Sequence, residues 1–229
     1  MAESPHSLVE AAKALDKFAQ NDLTQRIAKL EDSYRNANAE NCMAANHAQA
    51  IDTSLLTFAL LFKQTAGQLN VVIHAAGILL SLPHILEKGE YVHSLSLGAG
   101  NTGKSFDLET NLSVAEFKFI QWKGADTVRQ NSLFKDFYLL AEADTDKRRK
   151  LYVIDDTLPL KFLRGGRSIM SAMSQHSRLR TEFQKLYGDR FTRVCEYYEY
   201  RRALVTVIDL KKIVPFPLVF SEDAMPSPQ

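Results

Sequence analysis

The sequence has few cysteines and little net charge. Its 229 residues include only Cys42 and Cys195. Two thiols do not make a disulfide framework, and no spacing with histidine suggests a zinc site, so we expect reduced thiols in a cytoplasmic protein. The formal net charge is +1, far from the strongly basic balance that by itself indicates a polyanionic partner.

Charged side chains are also missing between Lys63 and Glu87. Polar residues and Pro83 interrupt this apolar stretch, so it predicts a buried helix over residues 69–86 rather than a membrane span. Residues 1–5 lack a basic segment followed by an apolar run, and we expect no signal peptide. No membrane partner is expected.

Helical patterns dominate the N-terminal part. Residues 7–35 predict a helix, with Ser7 as N-cap and Glu10 completing a capping box. Residues 52–65 predict a helix that is apolar nearly all round, and residues 36–46 predict a loop or a weak helix.

These patterns divide the chain into two predicted parts. A helical extension over residues 1–66 would pack on the rest of the chain, or form a homodimer or bind a protein partner. A second domain would cover residues 67–229. Up to residue 90 the chain has 7 basic and 10 acidic residues, and the remainder has 21 and 17, a mildly basic balance compatible with nucleic acid.

The most informative pattern is D-x8-E-x-K in an alternating apolar stretch. Residues 105–109 and 113–119 predict two strands joined by a tight turn at Asn111-Leu112. In that register Asp107 lies opposite Glu116, and opposed residues of an antiparallel pair share a face.

Lys118 follows Glu116 by two residues and therefore lies on the same face. Two neighbouring carboxylates favour a cation between them, and oxygen ligands select Mg²⁺ or Mn²⁺. The lysine would then steady an attacking hydroxide or offset charge on phosphorus. The alternative is a solvated face with a weak ion pair, but the apolar neighbours predict a buried strand.

A second motif overlaps the first. Residues 98–105 match the Walker A pattern G-x4-G-K-[ST], and residues 151–155 resemble a Walker B strand. This alternative predicts a P-loop nucleotide hydrolase that uses Lys104, Ser105 and Asp155.

A P-loop needs a helix that starts at residues 103–105, and Asp107 and Glu109 would lie in its first turn and repel bound phosphates. Residues 105–120 alternate like a strand instead. We therefore predict a flexible turn between a strand over residues 91–97 and the strand that carries Asp107.

With a helix predicted over residues 127–143 and a strand over 150–155, the order of elements over residues 70–157 resembles the PD-(D/E)xK nuclease superfamily. That resemblance implies an α/β restriction-endonuclease-like fold, in which a central mixed sheet is flanked by helices. It also implies Mg²⁺-dependent (or Mn²⁺-dependent) hydrolysis of DNA, in a bacterial defence setting. A catalytically inactive relative that binds proteins is the remaining alternative.

By the same resemblance Asp107 and Glu116 would be metal ligands and Lys118 the catalytic lysine. Gln130 resembles the polar helix residue that some members carry. The candidate contacts to nucleic-acid phosphates are Arg129, Gln130, Arg164 and Arg167, the last two because they flank a glycine pair that lets phosphate approach closely. His74 is predicted to be an ordinary semi-buried histidine.

Overall fold

The computed structural model describes residues 7–20, 22–98, 103–119, 122 and 126–215. The chain divides into two compact units, Met1–Asn70 and Val71–Gln229. The boundary predicted between residues 66 and 67 lies close to this division.

The N-terminal unit is built from helices. Its first three are α1 (Leu8–Ala19), α2 (Leu23–Ser33) and α3 (Ala39–Ala48). The predicted capping box is confirmed, since the Glu10 N–H donates to Ser7 Oγ and the Ser7 N–H donates to the Glu10 carboxylate. The single helix predicted over residues 7–35 is wrong. Gln20 has a positive φ of 53° and ends α1, and Asp22 caps the start of α2.

Helix α4 covers Thr53–Ile85, a length of 33 residues, where the sequence predicted two helices. Gly67 is the poorest helix former between those two segments, and one glycine costs only about 1 kcal/mol in a helix interior. The predicted burial holds for one side of the last turns, where Gly77, Ile78 and Ser81 are buried. In the described part of the chain α4 is the single helix long and apolar enough to cross a membrane, by length and composition only.

A five-stranded mixed sheet forms the centre of the second unit. Its strands are β1 (Val92–Leu95), β2 (Leu108–Thr110), β3 (Ser113–Lys118), β4 (Arg148–Val153) and β5 (Val205–Asp209). They lie in the order of the sequence. The first three are antiparallel to one another, and β3, β4 and β5 are parallel. The prediction of an α/β protein with a mixed sheet flanked by helices is confirmed.

Among the described residues, five α-helices separate the parallel strands of this unit, and a short 3-10 helix, Leu210–Lys212, follows β5. The α-helices are α5 (Thr127–Ala141), α6 (Thr157–Leu163), α7 (Ile169–Ala172), α8 (Ser177–Tyr187) and α9 (Val194–Arg201). Asp126 caps α5 by accepting from the Arg129 N–H at 3.0 Å.

Alternating residues of β3 supply two separate cores. Val114 packs in a cluster with residues of α5, whereas Ala115 and Phe117 pack in a second cluster with Ile78 and Ile85 of α4. Because side chains alternate along a strand, Glu116 and Lys118 belong to the face of Val114. The fold therefore directs both of them towards α5.

Gly77 provides a test of the contact between α4 and the sheet. A Cβ atom at this position would lie 2.5 Å from the ring of Phe119, which is stacked on Phe117 and so cannot easily move. We expect Gly77→Ala to destabilise the protein by about 1–3 kcal/mol through overpacking. Urea unfolding measures the change.

Gly67 is the matched control in the same helix, because nothing lies within 4 Å of a Cβ added there. Gly67→Ala should raise stability by about 0.5–1 kcal/mol. A similar gain from Gly77→Ala would contradict the close approach of α4 to Phe119.

Candidate functional site

The β2–β3 hairpin brings the two carboxylates of the sequence motif together. Leu108 pairs with Ala115 and Glu109 with Val114, which confirms the predicted register. Asp107 immediately precedes β2, and in the same register it lies opposite Glu116. The turn at Asn111-Leu112 fixes this register, since a slip by one residue would move every side chain to the other face.

Asp107 is held by two contacts from different elements. Its Oδ2 accepts a hydrogen bond from the Phe117 N–H at 3.0 Å, and its Oδ1 lies 3.3 Å from His74 Nε2 of α4. Burial alone would raise the pKa of Asp107, but the hydrogen bond and charge of His74 and the Phe117 N–H leave it below its usual value. Asp107 is therefore ionised at neutral pH.

Glu116 is in the opposite state. It is 8% exposed, and burial, together with the charges of Asp136 and Asp107, raises its pKa to about 9. Near neutral pH its carboxyl group keeps the proton and donates a hydrogen bond to Asp107. The two neighbouring carboxyl groups thus share one proton near neutral pH, because ionisation of both without a cation is unfavourable.

Lys118 contacts a third acid. Its ammonium group forms an ion pair with Oδ2 of Asp136 on α5, and Lys135 Nζ lies 2.9 Å from Oδ1 of the same carboxylate. The Asp136 side chain is fully buried. Burial lowers the pKa of Lys118, but Asp136, Glu116 and Asp107 outweigh that effect, and the pKa is raised. Lys118 is thus a fixed cation.

We call Asp107, Glu116, Lys118, Lys135 and Asp136 the acid–lysine cluster. Within this cluster three acids face two lysines, so its own charges balance when one acid is neutral; His74, which contacts Asp107, is outside this count. The proton on Glu116 supplies that balance. A divalent cation between Asp107 and Glu116 would replace it, since metal ligands bind in their deprotonated form.

The donor set fits one magnesium ion. The described residues contain no group of three or more His, Cys, Asp or Glu side chains placed to hold a metal ion. Mg²⁺ does not require such a cage, because proteins usually bind it through one or two carboxylates, with water and substrate phosphate oxygens as the other ligands. Asp107 and Glu116 would be those two carboxylates.

The Walker A alternative is not supported by the chain around it. Residues 99–102 of the glycine-rich segment lie outside the described residues. Residues 103–107 form bends that lead into β2, whereas a P-loop requires a helix there. Lys104 donates to the main-chain carbonyl of Leu95, and Asp155 pairs with Lys211 at 3.4 Å.

The four predicted phosphate-binding residues fall into two groups. Gln130 and Arg167 meet, with Arg167 Nη1 2.5 Å from Gln130 Oε1, and both line one cleft. Arg129 instead pairs with Asp126 at 3.1 Å, which offsets its charge. Arg164 is exposed.

Three residues of the site, His74, Lys135 and Asp136, were not identified from the sequence. Asp136 lies three residues after Leu133 and four before Leu140, both fully buried. An acid between apolar positions of a predicted helix indicates a buried charge, and a buried charge needs a partner. Asp136 could therefore have been identified from the sequence. His74 carried no such signal, since its contact with Asp107 depends on how α4 packs on the sheet.

Comparisons with protein-family models, curated proteins and solved structures found no match. What the site can do therefore follows from its own geometry.

The shared proton predicts a pH dependence of stability. The pKa of Glu116 is about 9 in the folded protein against an ordinary 4.5. The stability that results from this difference is therefore fully present below pH 4.5 and is lost as pH rises towards 9. We expect metal-free protein to lose up to about 1.4 kcal/mol of unfolding free energy per pH unit in this range. Urea unfolding in EDTA at several pH values measures the slope.

Glu116→Gln should remove this slope, because the amide resembles the protonated acid and does not titrate. Glu109→Gln is the control on the neighbouring strand. It should keep the slope, since the hydrogen bond from Lys147 lowers the pKa of Glu109 and that group is ionised throughout. Equal slopes in wild type and Glu116→Gln would show that Glu116 does not hold the proton.

Proposed function

We propose that this protein is a Mg²⁺-dependent nuclease that hydrolyses phosphodiester bonds in DNA. The observation that carries the proposal is the acid–lysine cluster, in which Asp107, Glu116 and Lys118 come together at the carboxyl end of β3. A pair of carboxylates could hold a metal cation, and a fixed ammonium group beside them adds positive charge for an anionic phosphodiester. A surface ion pair offers neither.

Asp107 and Glu116 would hold the metal. When bound, Mg²⁺ (or Mn²⁺) polarises a phosphoryl oxygen and lowers the pKa of a coordinated water. Asp107 is already ionised and fixed by His74 and the Phe117 N–H, so it is ready to act as a ligand. Glu116 would have to give up its proton to serve as a ligand.

Lys118 would act as a cation rather than as a base. Its raised pKa keeps the ammonium charged, and the ion pair with Asp136 fixes where it points. A fixed positive charge beside the reacting phosphate offsets the negative charge that develops there, without reorganisation during the reaction.

The order of elements also supports the finer assignment of the fold. The end of α4 is followed by three antiparallel strands, helix α5 and parallel strand β4, which is the order on which the resemblance to the PD-(D/E)xK superfamily was based. A role in bacterial defence is part of the same proposal.

Neutral substitutions of the two carboxylates test the activity. We expect Asp107→Asn and Glu116→Gln each to lower Mg²⁺-dependent DNA cleavage by about 10³-fold or more, because a lost ligand removes several kcal/mol of transition-state stabilisation. Cleavage of labelled single-stranded and duplex DNA in Mg²⁺, Mn²⁺ and EDTA measures the effect.

Glu109→Gln serves as the matched control, since it changes a partly exposed carboxylate that pairs with Lys147. It should cleave at the wild-type rate. Unchanged cleavage in both site variants, or no cleavage by wild type with either metal, would reject the proposal. Lys118→Ala is less informative, because it removes a partner of the buried Asp136 and so affects stability as well.

Metal binding can be tested without activity. Because Glu116 is protonated near neutral pH, binding of Mg²⁺ should release about one proton per ion. Calorimetric titrations at pH 7.5, in two buffers with different ionisation enthalpies, measure that number. Glu116→Gln should abolish binding, and Mg²⁺ binding without proton release would contradict the shared ligand site.

A further inference from the structure

A cleft of about 420 Å³ opens at the carboxyl ends of β3 and β4. Its apolar lining consists of Trp122, Leu158 and Phe162, and its polar lining includes Gln130, Lys161 and Arg167. The carboxyl edge of parallel strands is where α/β proteins commonly bind ligands. Glu116 and Lys118 lie towards the same end of β3.

Arg167 is oriented by neutral groups. Its Nη1 donates to Gln130 Oε1 at 2.5 Å and its Nη2 to Asn131 Oδ1 at 2.8 Å. Among the described residues no carboxylate forms an ion pair with either Arg167 or Lys161 of the same cleft. Burial lowers the pKa of Arg167, as expected for a guanidinium group whose charge is not offset.

The amides of Gln130 and Asn131 therefore hold a partly buried cation in place without neutralising it. A planar guanidinium group in this state is suited to bind a phosphate group. None of the cleft-lining residues among those described is acidic, so an anion would meet no repulsion from the lining.

The apolar side of the cleft limits which anion fits. Trp122 and Phe162 are 8% and 7% exposed, and their ring centroids lie 6.0 Å apart. A duplex turns its phosphates outward and keeps its bases stacked inside, so its backbone would leave this apolar surface unfilled. An unpaired nucleotide offers both a phosphate and a base, and such combinations of cations and aromatic rings bind single strands.

We propose that this cleft binds one unpaired nucleotide of the substrate strand, with the phosphate on Arg167 and Lys161 and the base against the side of Trp122 and Phe162. The inference rests on the proposed nuclease function and adds a substrate class to it, DNA that is single-stranded beside the cut. Gln130 and Asp136 are six residues apart on α5, about 9 Å along the helix axis, so both sites can contact one strand.

Binding without cleavage tests this inference. Full-length protein in EDTA is titrated into fluorescein-labelled 12-nucleotide DNA, single-stranded or as a blunt duplex, and anisotropy is recorded at several salt concentrations. We expect the single strand to bind about 10-fold more tightly than the duplex, since contact of a base with the apolar lining of the cleft is available only to the single strand. Arg167→Gln and Lys161→Gln should each weaken single-strand binding about 5-fold and reduce the salt slope by about 0.7, the value for one lost phosphate contact.

Lys161 is exposed, so its substitution avoids the risk that Arg167→Gln disturbs folding. Lys88→Gln is the matched control. Lys88 is exposed and precedes Gly89, whose carbonyl accepts a hydrogen bond from Asn111 in the β2–β3 turn, at the opposite end of β3. Loss of its positive charge should leave the affinity and the salt slope unchanged.

Equal affinity for single strand and duplex, or unchanged binding in both cleft variants, would overturn the inference. Binding of free dAMP as tight as that of the oligonucleotide would also overturn it, because the ligand would then be a free nucleotide. If strand binding follows the cleft variants but no metal supports cleavage, the proposed nuclease function fails and the cleft assignment stands. If cleavage occurs and the cleft variants bind duplex and single strand like wild type, only the cleft assignment fails.

Discussion

The structure around the hairpin depends on a balance of buried charge. Asp107, Glu116 and Asp136 are acids, Lys118 and Lys135 are the cations beside them, and near neutral pH ionisation of the third acid is unfavourable unless a further positive charge arrives. Without one, Glu116 keeps a proton, because burial and the charges of Asp136 and Asp107 raise its pKa to about 9. A divalent ion bound as proposed would therefore compete with this proton for one position. This competition, rather than the count of acidic residues, makes the cluster a candidate metal site.

The same balance connects stability to chemistry. Asp136 is fully buried, and it is accompanied by Lys118 from β3 and Lys135 from its own helix. Removal of one lysine leaves a buried carboxylate with less compensation, which is costly in a low-dielectric interior. Lys118 therefore stabilises the packing of α5 on the sheet at the same time as it points a positive charge towards Glu116. A residue with both roles cannot be assigned from loss of activity alone, whereas the neutral isosteres of Asp107 and Glu116 separate the two effects.

The hairpin could be predicted from sequence because its geometry is local. A short turn at Asn111-Leu112 and period-2 alternation fix which residues oppose each other, so Asp107 and Glu116 follow from counting. Contacts between distant elements could not be obtained in this way. His74 reaches Asp107 only because α4 packs on β3 through Gly77, and nothing in the helical pattern specifies that approach. The break between α1 and α2 was missed for another reason. Apolar residues keep recurring at helical spacing beyond Gln20, whereas the helical backbone conformation ends at that residue.

Uncompensated charge also decides where a polyanion would be attracted. Four consecutive basic residues, 147–150, lie at the start of β4, but Lys147 pairs with Glu109 at 2.8 Å and Arg148 with Glu87 at 2.5 Å. The acid–lysine cluster is neutral while Glu116 holds its proton, so it offers little attraction at long range. Lys161 and Arg167 lack carboxylate partners among the described residues, and they lie at the carboxyl edge of the sheet. Because the whole chain has a net charge of only +1, attraction of an anionic strand has to be local. The cleft would then capture the strand first, and the cluster would act on a phosphate that the cleft has already positioned.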